Sequence, residues 1–254
     1  MGFPFVPFPR MAVYLMNEYR RPPAVVQPIR LSRNSALLGL LLIAPVPSIG
    51  VWFAAFSSNP EFGRLVWSAA KLWLMTGPLV CWVAINRQKV RLPFFDYRGL
   101  IAGLLSAILL ALVIIIAYWL FARPYVDFTA LQSMLTGVGV DSVSKYLLLA
   151  LYLTLVNSLM EEYVYRWFIY TQLAALIPKM AAVVCSAVIF TLHHTLVLSA
   201  YIPWGFNLLA SLGVFTGGLI WSCLYARYYR IWPAYISHIG ADIGVFVVGY
   251  LALY

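Results

Sequence analysis

Carboxylate and imidazole side chains lie inside long apolar stretches of this sequence, where ionisable residues are rare. The whole chain has only eight Asp and Glu and three His. An ionisable residue at the centre of a membrane span costs about 2.5–3.5 kcal/mol on insertion scales, so it usually faces a cavity and has a function. Carboxylates and imidazoles together can transfer protons, which is the basis of acid–base catalysis. The residues concerned are Glu161, Glu162, Arg166, His193, His194, His238 and Asp242.

The spacing of these residues places two pairs on shared helical faces. Glu162 and Arg166 are four residues apart, so an ion pair between them would allow both side chains to be buried. His238 and Asp242 have the same spacing, and the carboxylate can orient or charge the imidazole. Glu161 points about 100° away from Glu162 around the helix and is therefore free for another partner.

A carboxylate and two histidines from three helices can hydrolyse an amide without a nucleophilic serine or cysteine. Glu161 with His194 could hold and deprotonate a water as the general base. His238 with Asp242 could donate hydrogen bonds to the oxyanion that forms when this water attacks a carbonyl group. His193 lies next to His194 in the sequence and is an alternative to it.

A metal site is the alternative use of the same side chains. One Glu and two His could bind Zn²⁺, as in other metallohydrolases. The HExxH pattern, which places two ligands one helical turn apart, does not occur in the sequence. The sequence therefore predicts hydrolysis without a cofactor, with zinc as the alternative.

The composition requires these side chains to be carried by membrane helices. Of the 254 residues, 63% are hydrophobic and 10% are charged, whereas a soluble domain has about 25% charged residues. Disorder is excluded, because disordered chains are poor in apolar residues. The net charge of +9 comes from basic residues set singly or in pairs between apolar runs, so no nucleic-acid partner is predicted. The predicted fold is an all-α, polytopic integral membrane helix bundle.

Seven stretches approach the length of about 20 apolar residues that a spanning helix needs. The stretch 145–176 is longer and carries charges in its middle, and if it forms two helices the count becomes eight. Residues 1–34 are predicted to be a Pro- and Arg-containing cytoplasmic segment with a short interfacial helix over 11–19. Residues 35–254 are predicted to be a single transmembrane domain. The predicted spans are 36–56, 66–85, 100–121, 145–176, 180–200, 206–226 and 233–254.

The distribution of Lys and Arg between the loops predicts the orientation. With the N-terminus inside, twelve of the seventeen basic residues lie on the cytoplasmic side. We therefore predict a plasma or inner membrane location with a cytoplasmic N-terminus. The basic residues assigned to the opposite side are Arg64, Lys71, Arg123 and Lys145.

Glycine pairs at a spacing of four residues predict close helix packing, because small residues let two backbones approach each other. These pairs are Gly99/Gly103, Gly213/Gly217 and Gly240/Gly244.

The candidate histidines lie at different depths in their predicted spans. Counted at about 1.5 Å per residue from the cytoplasmic ends, His238 lies about 10 Å deep and His194 about 20 Å deep. They can share a site only if one helix begins deeper, tilts or is broken. We expect this adjustment at Pro233 and in the overlong stretch 145–176.

The order of these motifs resembles that of the CAAX protease and bacteriocin-processing (CPBP, or Abi) family of intramembrane glutamic endopeptidases. The family pattern is EExxxR, then FxxxH, then HxxxN or HxxxD, on successive helices near the C-terminus. The resemblance covers roughly residues 145–250. The matching positions are Glu161-Glu162-xxx-Arg166, Phe190-xxx-His194 and His238-xxx-Asp242.

The resemblance implies a site and a substrate class. It implies that Glu161 and His194 activate the water and that His238 and Asp242 stabilise the oxyanion. The substrate would be a membrane-associated peptide or protein that reaches the site from the lipid bilayer. The residues with supporting roles would be Glu162, Arg166 and His193.

The sequence departs from the family pattern at two positions. Many members have Gly where this chain has Trp167, which would place a bulky side chain near the cavity. Asp242 replaces a neutral Asn with an anion. Both departures are compatible with a non-catalytic membrane subunit of a larger complex built on the same scaffold. A proton-coupled carrier would also hold intramembrane Glu and His, but the sequence shows no inverted repeats of the kind that carriers contain.

Overall fold

A computed structural model of the chain describes residues 31–90, 97–123 and 128–254. Within these ranges the regular structure is helical and no strand occurs, which confirms the predicted all-α fold. Most of the predicted N-terminal segment 1–34, including the interfacial helix over 11–19, lies outside the described residues.

Seven helices in the described ranges are long and apolar enough to cross a membrane. Large apolar side chains cover their outer surfaces; Leu41 and Ile101, for example, are each 72% exposed. Apolar exposure on this scale indicates a surface that faces lipid rather than water. The protein is an integral membrane protein. The spans are Arg33–Phe56, Pro60–Ile85, Leu100–Phe121, Val143–Ala174, Lys179–Ser199, Trp204–Tyr228 and Ile231–Leu253.

The first span consists of two short helices separated by a break before Pro45, and a short helix that is not a span lies between the third and fourth spans. The elements are labelled in chain order. They are α1 (Arg33–Ile43), α2 (Val46–Phe56), α3 (Pro60–Val80, continued by the π-helical segment Cys81–Ile85), α4 (Leu100–Ala117), α5 (Phe128–Gly137), α6 (Val143–Ala174), α7 (Lys179–Ser199), α8 (Trp204–Tyr228) and α9 (Ile231–Leu253).

Helix α3 begins at Pro60, earlier than the predicted span 66–85. The side chain of Asn59 caps the helix, because its Oδ1 accepts hydrogen bonds of 3.0 and 3.1 Å from two backbone N–H groups of the first turn. Proline at the first helical position fits such a start. Arg64, which precedes the predicted span 66–85, and Lys71, which lies inside it, both belong to α3.

Helix α6 accommodates its 32 residues without dividing into two helices. It contains two π-helical segments, Leu153–Asn157 and Glu162–Tyr170, on either side of the short α-helical segment Ser158–Glu161. π-Helical turns inside α-helices are rare and frequently occur at functional sites. The continuity of α6 confirms seven spans rather than eight, and the adjacent candidate carboxylates at its centre lie where the helical geometry changes.

Helices α4 and α9 pack closely because glycine meets backbone at their contact. A Cβ added to Gly240 would lie 2.5 Å from the Cα of Ala107, and one added to Gly103 would lie 2.6 Å from the carbonyl oxygen of Pro233. Close packing predicted from glycine spacing is thus found in this helix pair. It is wrong for Gly213, which has no atom within 4 Å of an added Cβ.

We predict that Gly240→Ala lowers the free energy of unfolding by about 1–3 kcal/mol, the usual cost of overpacking. The added methyl group would overlap the backbone of α4, so the two helices must separate. Gly213→Ala makes the same chemical change in open space and is the matched control. Unfolding of the two purified variants in mixed micelles measures the effect, and equal stabilities would contradict the packing described.

Candidate active site

A cavity of about 440 Å³ lies inside the bundle, between α2, α3, α6, α7 and α9. Much of its wall is apolar, with side chains such as Leu74 and Val164. The candidate residues that line it come from three different helices. They are Glu161, His193, His194, His238 and Asp242.

The Glu161 carboxylate is the common neighbour of the histidines. Its Oε2 lies 3.5 Å from Nε2 of His238, and its Oε1 lies 3.9 Å from Nε2 of His193. One ligand atom each of Glu161, His193 and His194 lie within 4.8 Å of one another. Glu161 is only 9% exposed. The fold therefore gathers one carboxylate and the imidazoles of α7 and α9 at one buried point.

The difference in depth between the two histidine motifs is accommodated by where their helices begin. His194 lies about 20 Å along α7 from Lys179, whereas His238 lies about 10 Å along α9 from Ile231. Both side chains nevertheless line the same cavity. Helix α9 thus begins about 10 Å closer to the site than α7 does, measured along the helices. Of the adjustments expected near Pro233, the structure shows the deeper start, since α9 begins at Ile231 and continues without a break past Pro233.

The backbone fixes the tautomer of His194. Its Nδ1 lies 3.1 Å from the carbonyl oxygen of Phe190, four residues earlier in α7. A carbonyl oxygen only accepts hydrogen bonds, so Nδ1 carries the proton and donates it. In the neutral ring Nε2 therefore keeps its lone pair, which suits a proton acceptor or a metal ligand.

His193 is held by a tyrosine that the sequence analysis did not assign to the site. The hydroxyl of Tyr165 lies 2.8 Å from Nδ1 of His193, and the two rings are stacked with centroids 5.4 Å apart. Both side chains are buried. This contact leaves Nε2 of His193 facing Glu161, so His193 is part of the cluster. The sequence offered one signal for this role of Tyr165, which lies four residues after Glu161 and therefore on the same side of the helix.

Glu162, rather than Asp242, is the acid that orients His238. Nδ1 of His238 donates a hydrogen bond of 3.0 Å to Oε1 of Glu162. Asp242 Oδ1 lies 3.8 Å from Nε2 of His238, beyond hydrogen-bond distance but close enough for charge interaction. The indole ring of Trp221 stacks on the imidazole with a centroid distance of 3.7 Å. His238 is thus fixed at Nδ1 and across its face, while Nε2 points toward the carboxylates of the cavity.

Glu162 and Arg166 form the ion pair that their spacing predicts. Nε of Arg166 lies 3.3 Å from Oε2 of Glu162, and both side chains are fully buried. The guanidinium also lies over the rings of Phe190 and Trp221, at 4.7 and 5.3 Å from their centroids. The ion pair therefore holds the Glu162 carboxylate in place, and Glu162 in turn accepts the hydrogen bond from His238.

Two further polar residues reach Glu161 from the opposite side. Lys71 Nζ donates a hydrogen bond of 2.9 Å to Oδ1 of Asn157, whose Nδ2 donates one of 2.9 Å to Oε1 of Glu161. Sequence reasoning missed both residues. Lys71 lies in the predicted span 66–85 but was counted only toward the orientation of the chain. Asn157 offered a usable signal, because it is a polar residue one helical turn before Glu161.

Trp167 does not occupy the cavity. Its ring stacks on Tyr163 at a centroid distance of 5.1 Å and contacts the ring of Trp82 at 4.8 Å. The expectation of a bulky side chain near the site is therefore wrong, because this side of α6 packs against α3 and its π-helical continuation.

The fold and the cavity together define a polytopic helical membrane protein with a buried acid–imidazole cluster. Residues 143–244 match the family described as type II CAAX prenyl endopeptidase Rce1-like, a family of proteases. The matched segment contains every candidate residue named from the sequence. The resemblance to CAAX proteases is thereby confirmed. Comparison with curated proteins and with solved structures gives no significant match.

Proposed function

We propose that this protein is a glutamate-type intramembrane endopeptidase that hydrolyses a peptide bond of a membrane-associated peptide or protein. One observation carries the proposal: the buried Glu161 carboxylate lies beside imidazoles of α7 and α9 on the wall of the cavity. A cavity of about 440 Å³ has room for a short peptide segment and a water. The N-terminus is proposed to be cytoplasmic, from the distribution of basic residues.

Water activation is assigned to Glu161 and His194. Both present a proton acceptor to the cavity, since the carboxylate is ionisable and Nε2 of His194 has a free lone pair. A water between them can lose a proton as its oxygen attacks the substrate carbonyl, and the same groups can return that proton to the leaving amine. His193 is assigned a supporting role beside Glu161, with its Nδ1 bonded to Tyr165 and its Nε2 3.9 Å from Oε1 of Glu161.

Oxyanion stabilisation is assigned to His238, with Asp242 as its support. Nδ1 of His238 is occupied by Glu162, so the donor toward an oxyanion is Nε2, which requires the doubly protonated imidazolium. Nε2 lies 3.8 Å from Asp242 and 3.5 Å from Glu161, whose carboxylates supply counter-charge for this cation. Asp242 therefore acts through His238 and does not itself donate, which accounts for an acid at this position.

The test is cleavage of a membrane-inserted reporter peptide by the purified chain, beside Glu161→Gln and His194→Ala. The proposal expects cleavage by the unaltered chain and loss of cleavage in both variants. Cleavage that persists in both would contradict it. Absence of cleavage by every version, with a retained fold and a stable partner protein, would favour the non-catalytic subunit.

A zinc-dependent hydrolase is the second candidate, favoured by the cluster of Glu161, His193 and His194. Their ligand atoms lie within 4.8 Å of one another, whereas tetrahedral zinc ligands at about 2.0–2.1 Å from the ion lie about 3.4 Å apart. The cluster would therefore have to contract. Nδ1 of His194 is bonded to the carbonyl oxygen of Phe190, and Nδ1 of His193 to the hydroxyl of Tyr165. Metal-binding histidines usually have such a partner at the ring nitrogen that does not bind the metal. Zinc bound there would supply a Lewis acid and a more acidic water.

We predict that cleavage survives treatment with a chelator. The metal-free mechanism needs only proton transfer by Glu161 and His194, so removing divalent ions removes nothing that it uses. Activity before and after dialysis against a chelator, together with the zinc content of the purified protein, measures this. Loss of activity that Zn²⁺ restores, with one zinc per chain that His193→Ala removes, would establish the second candidate instead.

A further inference from the structure

Lys71 lies inside a membrane span, and the mechanism above gives it no role. It belongs to the middle of α3 and lines the cavity together with Asn157 and Glu161. A lysine at this depth is costly unless it faces a cavity and has a polar partner, and such lysines usually have a function. Its ammonium donates to the side-chain oxygen of Asn157 at 2.9 Å.

The amide of Asn157 can bridge its two neighbours in only one orientation. An ammonium group only donates hydrogen bonds and a carboxylate only accepts them. The amide must therefore turn its oxygen to Lys71 and its NH₂ group to Glu161, where it donates at 2.9 Å to Oε1. The lysine thus holds the amide oxygen in place, while the carboxylate accepts from the amide nitrogen.

This bridge determines which carboxylate oxygen is engaged. Oε1 of Glu161 receives the bond from Asn157, while Oε2 lies 3.5 Å from Nε2 of His238. Asn157 ends the π-helical segment Leu153–Asn157, one turn before Glu161, so the two side chains meet along α6. The carboxylate is thus held at one oxygen, and the positive charge of Lys71 lies one amide group away.

We propose that Lys71, acting through Asn157, is a positioning residue for the Glu161 carboxylate. The inference rests on the proposed function, because it assigns to Lys71 the orientation of the base that activates water. In this proposal Lys71 does not bind the substrate. It affects the rate of the chemical step through a relay formed by its hydrogen bond to Asn157 and the hydrogen bond from Asn157 to Glu161.

The experiment compares Lys71→Met, Asn157→Leu and the double variant in the purified full-length chain. Each substitution keeps the approximate shape of the side chain and removes its hydrogen bond. We expect each single variant to lower kcat by about 10- to 100-fold, as misplaced catalytic groups do, with KM within about twofold of the unaltered value. The double variant should be no slower than the slower single variant, because both break the same relay.

Two further variants serve as controls. Lys71→Arg keeps a cationic donor and should restore most of the rate. Lys145→Met makes the same chemical change at a lysine of α6 that pairs with exposed Asp141 instead, and should leave kcat unchanged. Losses that multiply in the double variant, or a rise in KM at constant kcat, would overturn the proposal and indicate that Lys71 binds substrate directly.

A spectroscopic measurement makes the test independent of turnover. Subtracting the infrared spectrum of Glu161→Gln from that of the unaltered chain identifies the carboxylate band of Glu161. That band should shift in Lys71→Met and in Asn157→Leu, and should stay in place in Lys145→Met. An unshifted band in Lys71→Met would overturn the positioning role. If the band shifts while Glu161→Gln still cleaves peptide, the proposed function fails and the relay itself stands.

Discussion

Replacement of Glu161 by glutamine is expected to lower kcat for peptide cleavage by about 10⁴-fold, the upper end of the range for general acid–base catalysis. Glutamine has nearly the same shape as glutamate, and its side-chain oxygen can still accept the 2.9 Å hydrogen bond that Asn157 donates to Oε1. What it lacks is a group that takes a proton from water. The loss should therefore appear in kcat with little change in thermal stability, and steady-state cleavage of a reporter peptide measures it.

The matched control for this prediction is Glu61→Gln. Glu61 lies in the first turn of α3, and its side chain is 88% exposed. The same loss of one carboxylate there should leave kcat unchanged. A Glu161→Gln protein that stays within about tenfold of the Glu61→Gln protein would remove Glu161 from the proton-transfer step. His193 and His194 would then have to be considered as the base.

The spans of this protein were predictable because the bilayer sets their length. About 20 apolar residues are needed to cross it, and the predicted span 100–121 coincides with Leu100–Phe121. Helix starts were less predictable, since a cap such as Asn59 extends a helix into polar sequence. Lys71 was counted only toward the orientation of the chain, although its ammonium group contacts Asn157 at the site.

The convergence of the site on Glu161 could be anticipated from the motifs, but the partners within it could not. Spacing along one helix suggests only neighbours on that helix, and so it favoured Asp242 as the partner of His238. The structure pairs His238 with Glu162, which is 76 residues away in the chain. Glu162 begins a π-helical segment, and the altered turn means that the usual 100° per residue does not describe where its side chain points.

Replacement of Arg166 by methionine is expected to lower the free energy of unfolding by about 3–5 kcal/mol, the cost of breaking a buried ion pair. Arg166 and Glu162 are both fully buried, and Nε lies 3.3 Å from the carboxylate. Methionine keeps apolar contact with Phe190 and Trp221 but leaves the charge of Glu162 without its cation. Denaturant titration of the purified protein in mixed micelles measures the change.

A second ion pair in the chain, which is exposed to solvent, serves as the control for the effect of burial. Lys145 and Asp141 have the same four-residue spacing and a shorter distance, 2.7 Å, but both side chains are 52% exposed. Because solvent screens an exposed pair, Lys145→Met should leave the stability unchanged within error, whereas Arg166→Met should not.

The double variant Glu162→Gln/Arg166→Met should recover part of the stability that Arg166→Met loses. It removes the buried carboxylate charge together with its partner, and the glutamine oxygen can still accept the hydrogen bond from His238. If Arg166→Met and Lys145→Met proved equally stable, the Glu162–Arg166 pair would not be what holds α6 against α7 and α8. The orientation of His238 would then depend on its hydrogen bond to Glu162 and on the stacked ring of Trp221, without support from Arg166.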